Sequence, residues 1–99
     1  MDSLDAIIAS GDAMYAAIRD MPPNKKSETV TAEFAEHYNS FRNFAVEAMP
    51  EFKEQYFPPQ IRILTSAQIG RRFTESFYVD VAAYALDIRS RAARKKGEE

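Results

Sequence analysis

The stretch Thr65-Ser66-Ala67-Gln68-Ile69-Gly70-Arg71-Arg72-Phe73-Thr74-Glu75-Ser76-Phe77-Tyr78-Val79-Asp80 decides how this chain folds. Thr65 and Gln68 stand at capping-box spacing, where the two side chains reciprocally satisfy free N–H groups at a helix start. From there Ile69, Phe73, Phe77, Val81, Tyr84 and Ile88 recur every three or four residues, as along one helix face. The spacing predicts one continuous helix over about 65–96, roughly 45 Å long at 1.5 Å per residue. Its middle, residues 77–86, carries a single charge, Asp80. A helix apolar on nearly all sides has to be surrounded by protein.

Upstream, Leu4, Ile7, Ile8, Gly11, Met14, Tyr15 and Ile18 give an amphipathic helix over about 3–20, with Asp2 and Asp5 suited to its N-terminal end. Gly11 costs about 1 kcal/mol against alanine in a helix interior, which points to a close helix crossing there. Pro22-Pro23 breaks this helix and reads as a stiff extended link. A second helix, capped by Ser27 or Thr29, covers about 28–48 with Val30, Phe34, Tyr38, Phe41, Ala45 and Ala48 as its buried stripe. A short helix over about 51–57 lies between Pro50 and Pro58, and an extended connector follows, held to the bundle by Ile61, Ile63 and Leu64. The predicted architecture is a single all-α domain over 1–99, a bundle of three main helices plus one short helix, with a basic tail at 89–99. The last helix overhangs the first two by about ten residues at helical rise. Girth and overhang together predict a homodimer through Phe77, Tyr78, Val81, Tyr84, Ala85 and Ile88.

Composition narrows the class further. Hydrophobic residues at 45% and charged residues at 28% are ordinary for a globular chain, so disorder is not the default. No apolar run reaches the ~20 residues that span a bilayer. With no cysteine there is no disulfide framework and no thiolate chemistry. The acidic start Met1-Asp2-Ser3-Leu4-Asp5 is unlike a basic secretory leader, and the expected location is the cytoplasm. The net charge of −2 is unevenly spread, with ten acids against five bases in residues 1–58 and five against eight in residues 59–99.

Few residues suggest chemistry. The lone histidine, His37, shares a helix face with Glu33, but two ligands do not make a metal site and a rim position is the simpler reading. Asp80 lies among apolar neighbours, and it fits a narrow polar seam with Asp87 and Arg91 better than a catalytic carboxylate. Ser66 to Asp80 loosely resembles a helix-turn-helix. Thr74 stands where that motif has glycine, Glu75 where it has an apolar residue and Asp80 where it buries an aliphatic one, so an unbroken helix accounts for the segment better. No enzyme, metal or cofactor is expected.

Two surfaces remain as binding candidates. Phe52, Tyr56 and Phe57 form an aromatic ridge suited to another protein. Arg89, Arg91, Arg94, Lys95 and Lys96 form a basic cluster of the kind that contacts phosphate backbones, although bases at a helix C-terminus also simply complement its dipole. The favoured function is a self-associating protein-interaction or adaptor module. The alternative is a nucleic-acid-associated protein using the basic end.

Overall fold

Asp2 caps the first helix by accepting the Asp5 N–H at 2.9 Å, and α1 then runs over Ser3–Arg19. The computed structural model describes residues 2–98. Proline with its fixed φ is tolerated at the first helical position, and Pro23 opens a single turn, α2 (Pro23–Lys26), where an extended link was expected. Thr31, rather than Ser27 or Thr29, caps α3 (Ala32–Ala48), its Oγ1 accepting the Phe34 N–H at 3.1 Å. After α3 the chain makes a 3-10 turn (Glu54–Tyr56), strands β1 (Ile63–Ser66) and β2 (Arg71–Thr74), and finally α4 (Tyr78–Glu98).

The hairpin overturns the all-α expectation. The chain is 64% helical, but β1 and β2 form a two-stranded antiparallel sheet in the register Ile63↔Thr74 to Ser66↔Arg71. Thr65 and Gln68 therefore do not form a capping box, and Ser66–Asp80 is not a helix-turn-helix. The turn Ala67-Gln68-Ile69-Gly70 closes with Gly70 at φ 63°, a left-handed conformation that glycine adopts without a Cβ penalty. The flanks are rich in β-branched and aromatic residues (Ile63, Thr65, Phe73, Thr74), which suit a pleated strand.

Chain direction explains why a hairpin sits there. Asp5 pairs with Lys96 and Asp12 with Arg89, so α1 and α4 are antiparallel. Phe34 meets Tyr78, Tyr38 meets Tyr84, and the Ala48 carbonyl meets Lys95, so α3 and α4 run parallel. A parallel pair needs the chain to return along the whole of α3, about 25 Å for 17 residues. The segment after the 3-10 turn does this. Arg42 Nε donates to the Pro58 carbonyl (3.0 Å), the Tyr38 hydroxyl to that of Pro59 (3.0 Å), and Asn39 bonds both backbone groups of Ile61 (2.8 and 2.9 Å). The hairpin completes the return. Val30 N–H then donates to Ser76 O (2.7 Å) and Tyr78 N–H to Glu28 O (3.1 Å), seating the start of α4 beside that of α3. At 21 residues α4 is close to its neighbours in length, and the predicted overhang disappears.

The core lies between α1, α3 and α4. Leu4, Ile7, Met14 and Ile18 meet Tyr38, Phe41 and Ala45 of α3 and Tyr78, Val81, Ala85, Ile88 and Ala92 of α4. Gly11 is buried at the α1–α4 crossing, as its sequence position suggested. No helix is long and apolar enough to cross a membrane among the described residues.

Candidate functional site

The residues expected to mediate self-association divide between two sides of α4. Tyr78, Val81, Ala85 and Ile88 are buried against the chain's own α1 and α3, and Tyr84 is half-buried against Tyr38. A second copy cannot reach the four buried side chains without opening the bundle. Phe77, just before the helix, is 43% exposed. What α4 offers to solvent is a different row: Val79 (49% exposed), Ala83 and Leu86 (43%), with Ala82 half-buried beside it. These residues and Tyr15 and Ile18 of α1 line a shallow groove of about 340 Å³, with Arg19 and Lys26 at its rim. The row escaped the sequence reading because the stripe chosen there was the one continuous with Ile69 and Phe73, and these lie on the hairpin.

The aromatic ridge is mostly internal. Phe57 is buried, Phe52 is half-buried, and the two rings meet edge to face at 6.3 Å. The Arg91 guanidinium caps both, 4.9 Å from the Phe57 centroid and 5.7 Å from that of Phe52. Only Tyr56, at 62% exposure, faces out.

The basic end is largely spent within the molecule. Arg89 pairs with Asp12 (2.9 Å), Arg91 with Asp87 (3.1 Å) and the Tyr56 carbonyl (2.6 Å), Lys95 with Glu51 (2.8 Å), and Lys96 with Asp5. Arg94 alone of the five is exposed with no ionic partner among the described residues. On the hairpin Arg72 pairs with Glu36, and this contact raises the arginine's pKa further.

His37 is exposed on the rim of a second groove, about 320 Å³, between α1 and α3, lined mainly by Ile7, Ser10, Ser40, Phe41 and Phe44. Among the described residues no three His, Asp or Glu side chains converge as metal ligands would. Asp80 is exposed, so its carboxylate is solvated rather than trapped among apolar neighbours. Two buried polar residues went unnoticed in the sequence, Thr74, whose hydroxyl donates to the Val30 carbonyl at 2.7 Å, and Arg42. Arg42 is buried on α3, bonding Pro58 O through Nε and Glu54 Oε1 (2.9 Å) through Nη1. The signal was there, since Arg42 stands four residues after Tyr38 and three before Ala45, within the apolar stripe. Its role is to anchor the return segment.

Compared with protein-family models, with curated proteins and with solved structures, the chain finds no match in any of the three.

Proposed function

We propose that this protein is a small interaction module that works by protein contact, self-associates, and catalyses no reaction. The observation that carries this reading is the exposed row Val79, Ala83 and Leu86 on α4, continued by the groove against Tyr15. Apolar surface of this kind gains free energy when a partner covers it, and contiguous exposed patches mark contact sites. The radius of gyration, 14.3 Å, exceeds the ~13 Å of a compact domain of about this length, which leaves more surface open to contact. Phe44 on the α1–α3 groove and Ile69 at the hairpin tip (62% exposed) give further apolar points for another protein.

A nucleic-acid role has less support, because four of the five bases expected to serve it are held by acids within the fold. The cytoplasm remains the proposed compartment, since a chain without cysteine needs no oxidising environment to fold.

Light scattering across a micromolar to millimolar range tests the proposal. The expected native mass is twice the 11.3 kDa of the chain, persisting in high salt because apolar burial dominates. A mass that stays at one chain throughout would overturn self-association.

A further inference from the structure

We infer that the partner for the α4 face is a second copy of this chain, packed antiparallel about a two-fold axis near Leu86 and Asp87. The inference rests on the self-association proposed above and adds which surface is used and in which direction. At 100° per residue Val79, Ala83, Leu86 and Ser90 fall within one strip about 60° wide on α4. Ala83 and Ser90 are small, so two such strips can approach to the close end of the 8–10 Å range of helix packing.

Charge fixes the direction. Asp80, Asp87 and Arg94 are spaced seven apart and so form a line along one edge of the strip. Asp87 is neutralised within its own helix by Arg91, at 3.1 and 3.2 Å. Arg89, Lys95 and Lys96 are paired to Asp12, Glu51 and Asp5. Asp80 and Arg94 are therefore the two α4 charges left without an ionic partner among the described side chains, and both are exposed. Each lies seven residues, about 10.5 Å, from the level of Asp87, on opposite sides of it. A two-fold axis at that level keeps the same edge of both helices together and reverses one of them. It sets Asp80 of each copy beside Arg94 of the other, twice per dimer. A parallel two-fold would instead carry the charged edges of the two copies to opposite sides of the interface, where neither Asp80 nor Arg94 meets the other. Leu86 packs on its own counterpart near the axis, and Ala83 faces Ser90 of the second copy.

The test is a charge-reversal set read by sedimentation equilibrium at low salt, with circular-dichroism melts confirming that each variant folds. Asp80→Arg and Arg94→Asp should each weaken dimerisation, by roughly tenfold if two exposed pairs become repulsive. Asp80→Arg combined with Arg94→Asp in one chain should restore it. Mixed with each other, the two single variants should associate more tightly than either does alone, because the mixed dimer regains both pairs. A wild-type dimer that ignores every reversal would overturn this inference and leave self-association standing on another surface. A monomeric wild type would overturn both and leave the face to a different protein.

Discussion

Replacing Gly11 with alanine tests the packing on which the α1–α4 interface depends. In an ordinary helix interior the change should stabilise by about 1 kcal/mol, through propensity alone. Here a Cβ built on Gly11 would lie 2.7 Å from Arg89 Cβ, 3.2 Å from Arg89 Cγ and 3.3 Å from the Ala85 carbonyl oxygen. The nearest of these is fixed to the α4 backbone, so no rotamer change relieves the contact. The two helices must shift apart, and overpacking of this kind costs about 1–3 kcal/mol. Weighed against the propensity gain, the balance is a loss of up to about 2 kcal/mol. Each kcal/mol lowers the melting temperature by about 4–8 °C in a domain of this size. Gly97 supplies the contrast, because nothing lies within 4 Å of its Cβ, and Gly97→Ala should be neutral or slightly stabilising. Urea titrations followed at 222 nm on both variants, at a protein concentration low enough to keep dimerisation out of the transition, make the comparison. A Gly11→Ala protein more stable than its parent by the full propensity gain of about 1 kcal/mol would refute the close-crossing argument.

Asn39→Ala should cost about 1–3 kcal/mol, because it strands both the N–H and the carbonyl of the buried Ile61, while Ser40→Ala on the exposed side of the same helix should cost little; equal urea midpoints for the two variants would count against the return segment's anchoring. Burial pushes the Tyr38 phenol well above its usual range, whereas the unfolded chain titrates it near 10. Its contribution is therefore complete below about pH 10 and lost as pH climbs through the alkaline range, where the unfolded chain gives up a proton that the folded chain keeps. Tyr38→Phe, despite losing about 1 kcal/mol with the Pro59 hydrogen bond, should flatten the fall in melting temperature above that pH, and an unchanged slope would refute the assignment.

Much of the bundle was legible in the residue pattern. The α1 stripe Leu4, Ile7, Met14, Ile18 is the buried face, and Gly11 marks the crossing. The second helix was placed correctly at its C-terminal end, but its start moved from about 28 to Ala32, because residues 28–30 pair with 76–78. The hairpin was hidden by an ambiguity of spacing. Ile69, Phe73 and Phe77 are four apart, and an interval of four places residues on one face of a helix and equally on one face of a strand. Only the β-branched flanks and the glycine at the turn distinguished the two, and a positive φ cannot be read from sequence. The long apolar belt was real, but its meaning changed. One side of it, Tyr78, Val81 and Ala85, is enclosed by α1 and α3, another, Val79, Ala83 and Leu86, is exposed, and Ala82 and Tyr84 lie between.

That division follows from the path of the chain. An unbroken helix from 65 would have left α4 reaching beyond its neighbours, with both sides of the belt short of cover. By folding 63–74 into a hairpin, the chain starts α4 level with α3 and surrounds one side with its own helices. The ion pairs at the far end then fix the register: Asp5–Lys96, Asp12–Arg89 and Glu51–Lys95 tie α4 to both other parts of the bundle. Exposed pairs of this sort stabilise by about 0–1 kcal/mol each, so their weight lies less in stability than in the charges they remove from the surface. A phosphate backbone would have to compete with a carboxylate already seated on each base, and that favours protein contact over nucleic-acid binding. With those bases paired, the outward surface of α4 presents, among the described residues, an apolar row with Asp80 near its start and Arg94 near its end, neither of them in an ion pair with another described side chain. A helix face so composed is complementary to itself when reversed, and that complementarity is the ground on which a second copy is proposed as its partner.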